Sequence, residues 1–413
     1  MDYSSSFLHL QEKKSKHLLI NLQFVSYCVI IITFFYKRTS FIKYMNNKGF
    51  VIMSNKVTTA PASDFEFGIY TLGDIVADCH TGTKISPKQR LDEVVAAAKL
   101  ADETGLDVFG VGEHHRLDFA ISSVPVVLAA ISQVTRRIKL TSATTVLSTI
   151  DPVRVFEDFA TLDLLSDGRA EIIAGRGAFV ESFPLFGYEL EDYHRLFAEN
   201  INLLLELNKH EIMNWEGSFR SSLKDSEIAP RPLQQSLPVW IGVGGSPESA
   251  EKAGVLGTGM AIAILSGSPE PFQELAATYR CAGIQAGHAP ESLKIAITSH
   301  GYIAETSQQA LDEYYPYYYS YRNSISPKPG QEYSVSRDDF GQYVSADNTM
   351  AVGSPQQIIE KILYQHELFG HSRFMTQLDI GGLPYAKVAK AIELLATEVA
   401  PVVRREIAKK NSR

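Results

Sequence analysis

Asp107-Val-Phe-Gly-Val-Gly-Glu-His-His115 is a short apolar run that ends in three ionisable side chains. Its first half has the length and composition of a buried strand, and the amphipathic helix pattern of residues 88–104 precedes it. In a (β/α) barrel, the residues that follow a strand lie at the catalytic end. Glu113, His114 and His115 are therefore candidates for acid–base chemistry near neutral pH.

The same alternation of a short apolar run and a helix recurs from Phe65 onward. A helix over residues 152–166 is typical, because Asp151 is a good N-cap and Pro152 suits the first helical position. Four β-then-α units in succession predict a parallel sheet, and eight predicted strands in all favour an α/β fold, a closed TIM (β/α)8 barrel, over an open doubly wound sheet. The other seven predicted strands cover residues 65–70, 138–147, 170–174, 238–242, 259–264, 293–298 and 373–379.

Residues 312–350 break this rhythm as an insertion between strands 7 and 8. The segment contains Tyr314-Tyr-Pro-Tyr-Tyr-Tyr-Ser-Tyr321, followed by prolines and charges. A long insertion at this end of a barrel is often a lid over the active site. The alternative is that the tyrosines pack a surface helix, and for any single tyrosine that interpretation is favoured.

The composition is that of a globular protein with a large core. The chain has 413 residues, of which 45% are hydrophobic and 21% charged. A net charge of −8 without a basic stripe argues against nucleic acid as a partner. Cys28, Cys79 and Cys281 lie far apart in a pattern that suits neither a disulfide framework nor a metal site, so we expect a cytoplasmic protein.

Residues 1–62 differ from the rest and are predicted to be an N-terminal extension of a barrel domain at residues 63–410. Residues 18–36 are almost apolar enough to span a bilayer, although Asn21 and Gln23 interrupt them. A weak membrane anchor is one interpretation. The favoured one is that translation begins at Met45 or Met53 and that the preceding residues are non-native.

Two further segments are candidates for anion binding. Arg176 lies between two glycines after the fourth strand, where its planar guanidinium suits a phosphate. Ser246 and Pro247 can begin a helix after the fifth strand, whose N-terminal N–H groups would form an anion site. An ordinary capped helix is the alternative, and Gly244-Gly245 favours the phosphate. We predict no metal site, since the histidines show no metal-ligand spacing.

Taken together, these segments resemble the bacterial-luciferase-like flavin-dependent monooxygenase family over roughly residues 65–405. Each motif is modest alone, and their order and spacing carry the resemblance. The matching motifs are Gly105-Leu-Asp107, Gly112-Glu-His-His115, Thr141-Ser-Ala-Thr-Thr-Val-Leu147, Asp151-Pro-Val-Arg154, Leu165-Ser-Asp-Gly-Arg169, Gly175-Arg-Gly177 and Pro238-Val-Trp-Ile-Gly-Val-Gly-Gly-Ser246.

The resemblance implies a TIM barrel that binds FMN at the C-terminal ends of its strands. The residues that it assigns to the FMN phosphate are Arg176, Gly245, Ser246 and Ser249. Those assigned to the isoalloxazine ring are Ala143, Thr144 and Thr145, with a non-proline cis peptide expected between Ala143 and Thr144. His114 matches the catalytic histidine of the family.

The implied function is a monooxygenase that uses reduced FMN and dioxygen to oxygenate a small organic substrate. An NAD(P)H-dependent flavin reductase would supply the reduced FMN, and we expect a homodimer. The alternatives are a deazaflavin-dependent dehydrogenase on the same barrel and a non-catalytic flavin-binding protein. The reactive cysteine of luciferase near the fourth strand has no counterpart here, so light emission is not expected.

Overall fold

A computed structural model describes the backbone of residues 20–25, 29–36, 39–46, 49–54, 65–177, 179–324 and 334–411. The chain divides into two compact units, Met1–Val57 and Thr58–Arg413. The first unit has an antiparallel sheet in which each strand pairs with the next, and the first two strands lie within the apolar segment that was considered as a membrane anchor. No helix in the described part of the chain is long and apolar enough to cross a membrane. The four strands are Ile20–Val25, Val29–Tyr36, Thr39–Asn46 and Gly49–Ser54.

The second unit is a closed barrel of eight parallel strands, which confirms the predicted TIM barrel. Each strand pairs with its neighbours in chain order, β8 pairs with β1, and the pairing of β4 with β5 completes the ring. The strands are β1 (Glu66–Thr71), β2 (Val108–Val111), β3 (Lys139–Ser142), β4 (Ala170–Gly175), β5 (Val239–Val243), β6 (Gly259–Ala263), β7 (Ile295–Ile303) and β8 (Arg373–Gln377).

Helices connect the strands and cover the outside of the barrel. They are α1 (Pro87–Thr104), α2 (Val124–Ser132), α3 (Pro152–Leu165), α4 (Ser182–Phe186), α5 (Tyr193–Lys209), α6 (Pro247–Leu256), α7 (Gln273–Gln285), α8 (Ser307–Ser324), α9 (Arg337–Tyr343), α10 (Pro355–Phe369), α11 (Tyr385–Leu394) and α12 (Ala400–Asn411). A π-helical turn, Leu395–Val399, joins α11 to α12.

Sequence signals act locally at the helix ends, and the predicted N-cap of α3 is confirmed. The Asp151 carboxylate accepts a hydrogen bond from the Val153 N–H and begins α3. Gly105 ends α1 with a φ of 93°, a left-handed conformation that glycine adopts without strain. Strand prediction was less complete. A hairpin of Ile212–Trp215 and Leu223–Glu227, between α5 and β5, was not predicted, because its mainly polar, exposed residues lack the apolar pattern.

The insertion between β7 and β8 contains α8, α9, the short strand Ala351–Gly353 and α10. The short strand extends the pairing of β7. Four tyrosines of α8 are buried. Tyr314 and Tyr318 pack against each other and against Phe340 of α9, as the packing interpretation predicted, whereas Tyr321 borders the cavity at the C-terminal ends of the strands. Residues 325–333 of the predicted lid lie outside the described residues.

The inside of the barrel has an apolar layer above a charged one. Tyr70, Val108, Ile173 and Met375 are among the residues that pack across the barrel axis. Below them, at the N-terminal ends of the strands, Arg373 forms ion pairs with Glu171 and Glu66, at 2.6 Å in each case. The Arg373 guanidinium also lies 4.5 Å from the Trp240 ring centroid. Charges therefore close the end of the barrel opposite to the expected catalytic end.

We propose that residues 1–62 are dispensable for folding of the barrel. All eight barrel strands and the helices around them lie downstream of Asp64. A chain that begins at Met53 is expected to unfold at the same temperature as the full-length protein, as measured by circular dichroism. Aggregation of the shortened chain under conditions in which the full chain stays folded would contradict this proposal.

Candidate active site

A cavity of about 410 Å³ opens at the C-terminal ends of the barrel strands. Every strand contributes to its wall, either directly or through the residues that follow it. The contributors include Tyr70 (β1), His114 (after β2), Ala143 (after β3), Arg176 (after β4), Gly242 (β5), Ala263 (β6), His300 (β7) and Gln377 (β8). This position matches the catalytic end of TIM-barrel enzymes.

His114 is held firmly at the rim of this cavity. Its Nδ1 lies 3.0 Å from Oε1 of Glu181, and its ring stacks on Phe119 with 4.1 Å between ring centroids. Because a carboxylate only accepts hydrogen bonds, Nδ1 carries the proton, which leaves Nε2 available for another partner. Partial burial opposes ionisation of Glu181, but the hydrogen bond and charge of His114, together with backbone N–H donors, outweigh it and lower the pKa of the carboxyl.

Sequence reasoning did not find Glu181. It immediately precedes α4, five residues beyond Arg176, and only the fold brings it to the loop after β2. The sequence shows only that Glu181 is an acidic residue in the loop after a barrel strand. This signal is not specific, because many acidic residues without a role in catalysis occupy such loops. Glu181 fixes the orientation of the His114 ring.

Glu113 and His115 border the same cavity as His114. Side chains of adjacent residues point to opposite faces of a regular strand, which would place only one of the two histidines at the cavity. Strand alternation does not apply here, because β2 ends at Val111 and the three residues belong to the following loop. The Glu113 carboxylate accepts the Val146 N–H at 3.2 Å, so it also connects this loop to the end of β3.

The segment after β3 lies against two glycines. The Ala143–Thr144 peptide is cis, as expected. A Cβ on Gly112 would lie 2.5 Å from the Ala143 carbonyl oxygen, and one on Gly175 would lie 2.6 Å from the Thr144 hydroxyl oxygen. Only glycine permits these approaches. Ala143 and Thr144 border the cavity, whereas Thr145 is buried beside β4 and Val146 takes its place in the wall.

A second cavity of about 210 Å³ adjoins the first, and Arg176 and Gly242 border both. Arg176 donates hydrogen bonds to the Ser249 hydroxyl at 2.9 Å and to Nδ1 of His194 at 2.8 Å. Lys252 also borders this cavity, and its pKa is lowered by burial and by the nearby charge of Arg176. We define Arg176, His194, Ser249 and Lys252 as the basic cluster.

The N-terminus of α6 points the same way. Ser246 is its N-cap and accepts a hydrogen bond from the Ser249 N–H at 3.3 Å. Gly245 has a φ of 124°, and no atom lies within 4 Å of where its Cβ would be, so a ligand can approach the backbone. The helix N-terminus and the basic cluster together suit a phosphate. Sequence reasoning identified Arg176 and Ser249 but missed His194 and Lys252, which α5 and α6 bring to the same place.

No group of three or more His, Cys, Asp or Glu side chains suited to a metal ion occurs among residues 65–177, 179–324 and 334–411. Glu113, His114 and His115 are close together, but each is engaged differently. Glu113 accepts a backbone N–H, His114 contacts Glu181, and His115 packs edge-on against Phe186 with 5.0 Å between ring centroids.

Comparison with known proteins places the chain among flavin-dependent monooxygenases in sequence and fold. The chain is 24% identical over 334 residues to the oxygenase component of a flavin-dependent trigonelline monooxygenase from Acinetobacter baylyi, covering 76% of this chain and 90% of that protein. A monooxygenase structure from Streptomyces bottropensis superposes with a TM-score of 0.72 at 25% identity, covering 82% of this chain and 99% of that one. The FMN complex of the 3,6-diketocamphane monooxygenase oxygenating constituent from Pseudomonas putida shares the fold, with a TM-score of 0.65 at 19% identity, covering 82% of this chain and 98% of that one.

The family match spans most of the barrel. The sequence model described as luciferase-like monooxygenase matches residues 65–372, which run from the start of β1 to the residue before β8. The chain therefore belongs to the luciferase-like monooxygenase family of oxidoreductases.

Proposed function

We propose that this protein is a monooxygenase that uses reduced FMN and dioxygen to insert one oxygen atom into a small organic substrate. One observation carries the proposal: an anion site of the right chemistry for a phosphate opens, through Arg176 and Gly242, into a larger apolar cavity that has a fixed histidine at its rim. FMN has a phosphate at one end and a flat aromatic ring at the other, so its two ends suit the two cavities.

The residues present fit FMN. The basic cluster and the N-terminus of α6 would hold the phosphate, with Gly245, Ser246 and Ser249 at that helix end. Ala143 and Thr144 would lie beside the isoalloxazine ring, and Thr145 would support them from within the wall. When bound in reduced form, FMN supplies the electrons that activate dioxygen. His114 would then hold or move a proton at Nε2, while Glu181 fixes the ring through Nδ1.

A separate NAD(P)H-dependent flavin reductase is proposed as the source of reduced FMN. The A. baylyi relative is named as the oxygenase component of its enzyme, and this chain covers 90% of its length. The described part of the second unit is built around one barrel, and both cavities belong to that barrel. A cytoplasmic homodimer is the proposed form of the enzyme.

A deazaflavin-dependent dehydrogenase is the alternative, because some relatives use that cofactor. An F420-dependent glucose-6-phosphate dehydrogenase from Amycolatopsis mediterranei is 31% identical over 179 residues, covering 40% of this chain and 52% of that protein. The phosphate chemistry of the basic cluster suits either cofactor. A protein that binds flavin without turnover is the other alternative.

Binding and turnover measurements separate these proposals. The purified protein would be titrated with FMN and with the deazaflavin, each oxidised and reduced, and then assayed with a flavin reductase, NADPH and a panel of small organic compounds. A monooxygenase binds reduced FMN more tightly and transfers isotope from labelled dioxygen to a product. Preference for the deazaflavin with no oxygen uptake would favour the dehydrogenase, and binding without turnover would favour the non-catalytic protein.

Arg176→Ala is expected to weaken FMN binding by about 1–3 kcal/mol, since it removes a charge-assisted contact to the phosphate. Ser246→Ala is expected to have a smaller effect, because the backbone N–H groups of α6 remain. Isothermal titration calorimetry would measure both. Riboflavin, which has no phosphate, is the matched control, and its affinity should not depend on Arg176. An unchanged FMN dissociation constant in Arg176→Ala would remove this residue from the proposed site.

A further inference from the structure

Three neighbouring strands, β7, β8 and β1, place polar side chains at the same level of the large cavity. They lie on the opposite side of the barrel from β4, which Arg176 follows. In the barrel register His300 of β7 pairs with Gln377 of β8, and Gln377 pairs with Tyr70 of β1. Residues paired in parallel strands point to the same side of the sheet, and all three side chains border the cavity. We define Tyr70, His300 and Gln377 as the polar floor.

Gln377 has unused hydrogen-bonding capacity. It has no solvent exposure, and neither its amide oxygen nor its amide nitrogen has a hydrogen-bond partner in the described part of the protein. Nδ1 of His300, a residue with 4% exposure, also lacks a partner there. A buried polar group without a partner destabilises the folded state, so such groups usually have a ligand when they border a cavity.

The protonation states define what the polar floor can bind. Burial, followed by the charge of Arg322, lowers the pKa of His300 to about 4, so its imidazole is neutral near neutral pH. Burial also keeps the pKa of Tyr70 well above its usual value, and its hydroxyl donates to the Ser299 carbonyl oxygen at 3.3 Å. Gln377 therefore presents one acceptor and one donor side by side, and no charged group of the polar floor competes with them.

We propose that Gln377, with His300 beside it, recognises a cis-amide edge, meaning an N–H group next to a carbonyl oxygen, as in lactams and imides. The Gln377 amide oxygen would accept from the ligand N–H while its amide nitrogen donates to the ligand carbonyl oxygen. Two ligands of the proposed function can bring such an edge, namely the imide edge of the flavin ring and a lactam- or amide-bearing substrate. The inference rests on the proposed function only in naming the flavin ring and an amide-bearing substrate as the candidate ligands.

Matched pairs of ligands test the proposal. The first pair is FMN and FMN methylated on its imide nitrogen, and the second is glutarimide and N-methylglutarimide; in each pair methylation removes the N–H. Calorimetry would compare the wild-type protein with Gln377→Met. The wild type is expected to prefer the unmethylated ligand about tenfold, and Gln377→Met to lose this preference.

The two arms identify the source of the edge. If the protein prefers FMN to N-methylated FMN, and saturating FMN prevents glutarimide from binding, the polar floor binds the flavin ring. A preference for glutarimide that persists in the FMN-loaded protein assigns it to a substrate. If the protein binds no flavin at all, the proposed function fails, while the glutarimide pair still tests the polar floor on the protein alone. Absence of a preference in both pairs would overturn the inference.

Two controls exclude a merely structural role for Gln377. Thr376→Val changes the preceding residue of β8, whose hydroxyl is also buried without a partner but which does not border the cavity, so ligand preference should persist. Gln377→Met should leave the unliganded protein as stable as the wild type or more stable. A lower melting temperature would show that Gln377 supports the fold instead. Gln377→Glu, which cannot donate when ionised, is the second variant if the methionine variant does not fold.

Discussion

His114→Ala is expected to lower turnover by about a hundredfold or more, measured as product formation with reduced FMN and the substrate found in the panel assay. The reason is that His114 borders the cavity while Glu181 engages only its Nδ1, at 3.0 Å, and leaves Nε2 available for proton transfer. FMN affinity should change far less, because the proposed phosphate contacts lie in the second cavity.

Two variants separate proton transfer from packing at this position. His114→Asn can still donate to Glu181 from its amide nitrogen but has no atom at Nε2, so its turnover should fall as far as that of His114→Ala. Glu181→Gln should retain more activity than either His114 variant, because the glutamine carbonyl oxygen can still accept the hydrogen bond from Nδ1 of His114. His115→Ala is an unsuitable control, since His115 borders the same cavity; the exposed His210, which does not border it, serves instead. Full activity in either His114 variant would refute the proton-transfer role.

Arg373→Met is expected to reduce the free energy of unfolding by about 3–5 kcal/mol, as measured by chemical denaturation at about pH 7. Arg373 is 1% exposed and donates to both oxygens of Glu171, which is 5% exposed. Removal of the guanidinium leaves the Glu171 charge in the barrel with only the half-exposed Lys139, 3.3 Å away. The second substitution Glu171→Gln should restore part of the stability. The exposed pair of Lys88 and Asp92 is the control, and its removal should change little.

The ion pairs of Glu171 with Arg373 and Lys139 predict that the free energy of unfolding decreases at acidic pH. Burial opposes ionisation of Glu171, but Arg373 and Lys139 outweigh it and lower its pKa from 4.5 to about 2. A carboxyl group whose pKa is lower in the folded than in the unfolded state stabilises the folded protein at pH values above its unfolded pKa. This stabilisation is lost as the pH falls from about 4.5 to about 2. Glu171→Gln should show a shallower loss of stability over this range. An identical decrease at acidic pH in the wild type and the variant would contradict the assignment.

The sequence determined the number, order and type of the main elements. Buried parallel strands are short apolar runs, and the helices between them carry one apolar face, so β1 to β8 could be read from patterns to within about five residues, although the hairpin between α5 and β5 could not. Local signals were sufficient where they act locally, as at Asp151 and Gly105. The site residues His114 and Arg176 were found because they follow strand ends in family motifs, and their assigned roles stay predictions.

Tertiary structure alone decided which distant side chains meet. Glu181 contacts His114 across 67 residues of sequence, and Arg373 contacts Glu171 across 202. The polar floor depends on the register among β7, β8 and β1, and on a barrel closed between β4 and β5. Hydrophobic periodicity reports which face of an element is buried, but it contains no information about the partner strand or its register. Those are set by the packing of the whole barrel, where one residue of slippage would turn each of these side chains to the opposite face.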